Sequence, residues 1–108
     1  MNFGRSENTS AVLAGNFSQF FALKALELLK SEGFSHDDAK KIIRQLVETS
    51  INNVLEGGVS GMTGPAARGE NEIIANESRE LSKKDPKLAE IYSLISEEIK
   101  KYDYKVTA

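Results

Sequence analysis

Residues 35–58 read SHDDAKKIIRQLVETSINNVLEGG, and the spacing of their apolar side chains decides the fold class. Ala39, Ile42, Ile43, Leu46, Val47, Ile51, Val54 and Leu55 recur at i, i+3, i+4 and i+7, the signature of one face of an α-helix. Lys40, Lys41, Arg44, Gln45, Glu48 and Asn52 fill the other side and make a solvated face. Ser35 followed by Asp38 has the form of a capping box with Asp in place of Glu. Asp37 and Asp38 also suit the positive end of the helix dipole. Gly57-Gly58 stops the helix.

Working outward towards the N-terminus, the spacing predicts a first helix from near Ser6 or Asn8 to Glu32, with Gly33 as a left-handed C-cap. Its apolar residues, Leu13, Phe17, Phe20, Phe21, Leu26 and Leu29 among them, cover more than one stripe. A helix that is apolar on several sides must be covered on several sides. Towards the C-terminus, Glu70 to Ser82 reads as a shorter third helix. Asp85-Pro86 then places an N-cap before a proline at the first helical position. Leu88, Ile91, Tyr92, Ile95, Ile99 and Tyr102 trace one stripe after it. No period-2 segment appears. The expected fold is all-α, a four-to-five-helix bundle. Residues 1–7 are expected to lie outside the helical domain, 8–102 to form it, and 103–108 to be a frayed tail.

The 108 residues, 40% hydrophobic and 28% charged, are enough for one small domain with its own core. A net charge of −2 without a basic stripe argues against binding phosphate backbones, so no nucleic-acid partner is expected. The absence of cysteine removes disulfides, thiolate nucleophiles and zinc-thiolate sites together. A single histidine, His36, makes a histidine-rich metal site improbable. No apolar run is long enough to span a bilayer, and the first residues lack the pattern of a secretory signal. The cytoplasm is the expected location.

Dinucleotide and nucleoside-triphosphate loop motifs are missing. His36 falls in a helix-capping segment, where a solvated first-turn residue is the simpler reading. Glu70, Glu72, Glu77 and Glu80 would need to converge to bind a metal or move a proton; a solvated helix surface is favoured. Asn16 is a polar amide in an apolar run, and if buried it must be hydrogen-bonded. Gly15 beside it weakens a helix by about 1 kcal/mol relative to alanine, which hints at close approach by another backbone or a ligand. In Met62–Glu70, Pro65 can start a short helix with Thr63 as its cap, and Gly69 can end it. That reading explains Thr63, Gly64, Pro65 and Gly69 but not Arg68, unless Arg68 pairs with Glu70, Glu72 or a ligand carboxylate or phosphate. Structural and binding readings of the turn stand level.

Asn16-Phe17, the capped second helix, the block Thr63-Gly64-Pro65-Ala66-Ala67-Arg68-Gly69-Glu70 and the block Asp85-Pro86-Lys87-Leu88-Ala89-Glu90-Ile91-Tyr92 occur in an order that resembles one family. It is the C-terminal all-α domain of Rossmann-like oxidoreductases (domain of unknown function 2520), distantly similar to pyrroline-5-carboxylate reductase. The resemblance covers about Asn8 to Tyr102. It implies a fold like the C-terminal domain of 6-phosphogluconate dehydrogenase, which follows a nucleotide-binding domain, dimerises through long helices and closes the cleft over the nicotinamide. Two departures stand out: Asn8 and Glu77 occupy positions where the family often has histidine.

The resemblance therefore implies a dimerisation and substrate-cleft domain of an NAD(P)-dependent oxidoreductase, not catalytic alone, its NADP or NAD held by a missing N-terminal nucleotide-binding domain. Asn16, Thr63, Gly64, Arg68 and Glu70 are the expected substrate-binding residues. Leu13, Phe17, Phe20 and Phe21 are the expected homodimer interface. The competing reading is a stand-alone helical interaction module without enzymatic role, docking its partner on the apolar side of the first helix.

Overall fold

The computed structural model describes residues 4–105; the expectations for residues 1–3 and 106–108 lie outside the described residues. Helix α1 (Arg5–Ala11) runs through a π-helical segment (Val12–Asn16) into α2 (Phe17–Ser31), and α3 spans His36–Gly57. A 3-10 turn (Gly58–Gly61) follows, then α4 (Asn71–Lys84) and α5 (Pro86–Lys100). Among the described residues there is no strand, so the fold is all-α as the periodicity requires. None of these helices is long and apolar enough to cross a membrane. The chain divides into two compact units, Met1–Thr49 and Ser50–Ala108.

In the first unit the opening helix begins at Arg5, slightly ahead of the expected start, and is not uniformly α-helical. Residues Val12–Asn16 are wound as a π-helix, with the Phe17 N–H donating five residues back to the Val12 carbonyl. Such segments are uncommon and often mark functional positions. Gly15 lies within it, and beyond its own helix no described residue comes within 4 Å of the place a Cβ would occupy. Helix α2 ends as a Schellman motif: the Phe34 N–H reaches the Leu29 carbonyl at 3.1 Å and the Gly33 N–H the Lys30 carbonyl at 3.1 Å. Gly33, at φ 99°, supplies the left-handed turn this needs. Ser35 caps α3 through its hydroxyl, which accepts from the Asp38 N–H at 3.1 Å.

Leu13 is 58% exposed, Phe17 51%, Phe20 39% and Phe21 38%. The expected surplus on the first helix is thus present, and it extends to α3, where it was not expected. Ala39 is buried, but Ile42, Leu46, Val47, Ile51, Val54 and Leu55 are exposed. The apolar face of α3 is thus largely uncovered among the described residues.

The second unit is organised by α4 and α5, which the single residue Asp85 joins into an αα-hairpin. Asp85 accepts the Leu88 N–H through Oδ1 at 3.0 Å, and Pro86 occupies the first helical position. This is the stop-start expected from the sequence. Ile74 of α4 and Leu88 and Ala89 of α5 are buried, with Ala66 of the preceding turn. Two polar pairs cross the hairpin. The Tyr92 hydroxyl donates to Glu77 Oε2 at 2.8 Å, and the Ser78 and Ser93 hydroxyls lie 3.1 Å apart. No large side chain among the described residues is fully buried.

Candidate functional site

The nine-residue turn between the 3-10 segment and α4 has a backbone path set residue by residue. Gly61 lies so close to α3 that an added Cβ would meet the Asn53 carbonyl oxygen at 1.9 Å. Met62 leaves in extended backbone at φ −66°, ψ 138°, and Gly64 turns the chain at φ 99°. Residues 65–69 then make one helical turn that closes as a second Schellman motif. The Glu70 N–H reaches the Pro65 carbonyl at 2.9 Å and the Gly69 N–H the Ala66 carbonyl at 3.2 Å, with Gly69 at φ 68°. The Asn71 N–H bonds the Gly69 carbonyl at 3.0 Å around Glu70 at φ −84°, ψ 72°, which is an inverse γ-turn. The expected roles of Pro65 and Gly69 are met. Thr63 is a correction: it is exposed and its hydroxyl caps nothing among the described residues. The reason is geometric, since Gly64 at positive φ intervenes between it and the turn.

Arg68 is the residue a turn alone did not explain, and it is paired. Its Nε and Nη2 both lie 2.9 Å from Glu70 Oε1. Glu70 stands at the N-cap of α4 but makes no side-chain cap hydrogen bond; its carboxylate is turned to the guanidinium instead. The rest of the acidic cluster disperses. Glu77 accepts from Tyr92, and Glu80 pairs with Lys83 at 3.0 Å. No group of three or more potential metal ligands forms among the described residues.

Tyr92 entered the sequence reading as part of the apolar stripe and of the Asp85–Tyr92 block, with no polar partner assigned. Partial burial, then the hydrogen bond to Glu77 and its negative charge, push the Tyr92 phenol up to about 12, with Ser96 opposing the rise. The signal was present in the sequence: Glu77 and Tyr92 lie at near-equal separations on either side of Asp85, which is where an antiparallel hairpin brings residues together. Glu77, one of the two departures noted in the sequence, takes part in an interhelical hydrogen bond.

Beyond Tyr92 the α5 stripe changes role. Ile99 and Tyr102, with Leu94, face Val54, Val59 and Met62 across an open groove of about 570 Å³. Among the described residues lining it, Glu98 alone is charged, and its carboxylate is paired with Lys101. The groove offers apolar surface and shape, with no free acid or base.

Asn16 belongs to the first unit and the Thr63–Glu70 turn to the second. Asn16 is exposed, at the end of the π-helical segment, and its amide nitrogen lies 3.5 Å from Gln19 Oε1, a contact at the limit of a hydrogen bond. Leu13, Phe17, Phe20 and Phe21 share that helix with it. The Phe20 and Phe21 rings meet edge to face, 5.4 Å between centroids, with the Lys24 ammonium 5.7 Å above the Phe20 ring.

The model of a family described as domain of unknown function (DUF2520) matches residues 8–99. Among solved structures, the chain is similar to a protein from Bacteroides fragilis whose crystal structure is described as that of a "putative NADP oxidoreductase", with 28% identity and a TM-score of 0.77. The match covers 91% of this chain and 36% of that one, so the chain spans about a third of the relative's length. No curated protein matches the sequence.

Proposed function

The chain belongs to the DUF2520 domain family, and from that premise we propose that it is the C-terminal dimerisation and substrate-cleft domain of an NAD(P)-dependent oxidoreductase, cytoplasmic and homodimeric. The observation that carries this reading is the likeness over 91% of the chain to part of a longer protein described as a "putative NADP oxidoreductase". NADP is the dinucleotide that likeness favours, and residues outside this sequence hold it. On this reading the domain is not catalytic by itself. It supplies a subunit contact through Leu13, Phe17, Phe20 and Phe21 and polar groups over the substrate from Asn16, Thr63, Gly64, Arg68 and Glu70.

Two features support the division of labour. Leu13, Phe17, Phe20 and Phe21 on the first helix are 38–58% exposed, so covering them would add only a share of the roughly 1.5–3 kcal/mol that full burial of such a side chain provides, in keeping with a subunit contact. The Arg68 guanidinium is charged and held at the surface, suited to an anionic substrate group. The stand-alone interaction module shares the first feature and accounts for Arg68 through its ion pair with Glu70, so it is the likeness to a longer protein that favours the oxidoreductase reading.

NADPH fluorescence titration separates the two readings when run on this chain and on the natural polypeptide that contains it. The oxidoreductase reading expects binding by the polypeptide and none by the 108-residue chain. A polypeptide that leaves NADPH and NADH unbound, while this domain captures a partner through its first helix, favours the module instead. In the polypeptide, Arg68→Ala is expected to weaken substrate and leave dinucleotide affinity intact.

A further inference from the structure

The way Glu70 holds Arg68 narrows what the turn can receive. A guanidinium has two edges that can grip an oxyanion with paired N–H groups: one formed by Nε and Nη2, the other by Nη1 and Nη2. Glu70 Oε1 sits 2.9 Å from both Nε and Nη2, so the first edge is occupied. The second edge makes no hydrogen bond among the described residues, and the Arg68 side chain is 58% exposed.

The backbone on either side is pinned. Glu70 N–H is tied to the Pro65 carbonyl and Asn71 N–H to the Gly69 carbonyl, so the two side chains project from a hydrogen-bonded path. Nor is Glu70 spent on α4, whose N-terminus it flanks without capping. A carboxylate there would ordinarily serve the helix end; here it serves the arginine.

The geometry points to Glu70 as a positioning residue, whose part in the proposed site is played through Arg68 and not by its own contact with substrate: it presents the Nη1–Nη2 edge of Arg68 to one oxyanion, a carboxylate or a phosphate, received end-on. This rests on the proposed reading that Arg68 meets an anionic group. It adds that Glu70 strengthens the interaction although its own charge repels the ligand. A freely rotating arginine must lose rotamer freedom to bind, whereas one already held does not.

The sign of the Glu70 effect is the test. The 108-residue chain, ¹⁵N-labelled, is titrated with acetate and separately with inorganic phosphate at constant ionic strength, following the Arg68 side-chain resonances. Glu70→Ala is expected to weaken binding about fivefold, with Glu70→Gln between it and the parent. Simple charge removal would tighten both. The tighter-binding arm identifies the oxyanion as carboxylate or phosphate. Arg68→Gln, which keeps a polar side chain on the same backbone, is expected to abolish the response. Binding that survives Arg68→Gln overturns the reading of Arg68 itself. Binding lost in Arg68→Gln yet equal or tighter in Glu70→Ala overturns the positioning role alone.

Discussion

A methyl group at residue 61 would sit 1.9 Å from the Asn53 carbonyl oxygen and 2.4 Å from its carbon, and neither is a side chain that could move aside. Gly61→Ala is therefore expected to destabilise the second unit by about 1–3 kcal/mol, the usual cost of forcing extra volume into a filled place. Urea unfolding would read it as a lower midpoint at unchanged slope. Tyr92 makes a second residue-scale expectation, this one tied to pH. Its phenol ionises near 10 in an unfolded chain and near about 12 in the fold, raised by burial first and by Glu77 second. The folded state holds that proton more tightly than the unfolded state does. The contribution is thus complete below pH 10 and is lost as pH rises through about 12. Denaturant titrations across that window should show the decline, and Tyr92→Phe should flatten it. An unchanged profile in Tyr92→Phe would remove Tyr92 as its source.

At the scale of elements, the π-helical segment Val12–Asn16 holds the one glycine of the first helix that the described residues leave in open space. With no described residue beyond its own helix near Gly15, Gly15→Ala should stabilise the isolated helix by roughly 0.5–1 kcal/mol through backbone entropy and propensity. If a second subunit packs its backbone there, the same substitution should weaken association. Thermal melts over a range of protein concentrations separate the two effects: higher stability when dilute, with a shallower rise on concentration. A substitution that stabilises equally at every concentration would leave Gly15 without a packing role. Helix boundaries were largely legible beforehand because caps are local chemistry. Ser35, Gly33, Gly69 and Asp85-Pro86 each act within a few residues of themselves, and each does in the structure what its type suggests. The π-helical winding was not legible, since α and π turns share nearly the same apolar spacing over five residues. The pairing of Glu77 with Tyr92 needed a fold in which α4 and α5 double back, which no single helix pattern reports. Arg68 announced itself as unexplained, but whether it met Glu70 or Glu72 depended on the inverse γ-turn at Glu70.

For the molecule as a whole, the decisive feature is how little of its apolar surface it shelters. The buried hydrophobic residues among those described are three alanines with Ile74 and Leu88, while the phenylalanines of the first helix and most of the α3 stripe stay exposed. Single scattered apolar residues on a surface need no explanation, but extended ones mark an interface. Fold class and the apolar surplus on the first helix could be read from the apolar pattern. What covers that surplus could not, because a helix face carries its apolar residues and not the identity of whatever meets them. Sedimentation equilibrium of the 108-residue chain at micromolar concentration addresses the central claim, that a second copy covers the Leu13–Phe21 stripe. The account expects twice the 11.9 kDa chain mass, falling to the single-chain mass in Phe17→Asp. A parent chain that sediments as a stable 11.9 kDa species at those concentrations, cooperatively folded, would contradict it.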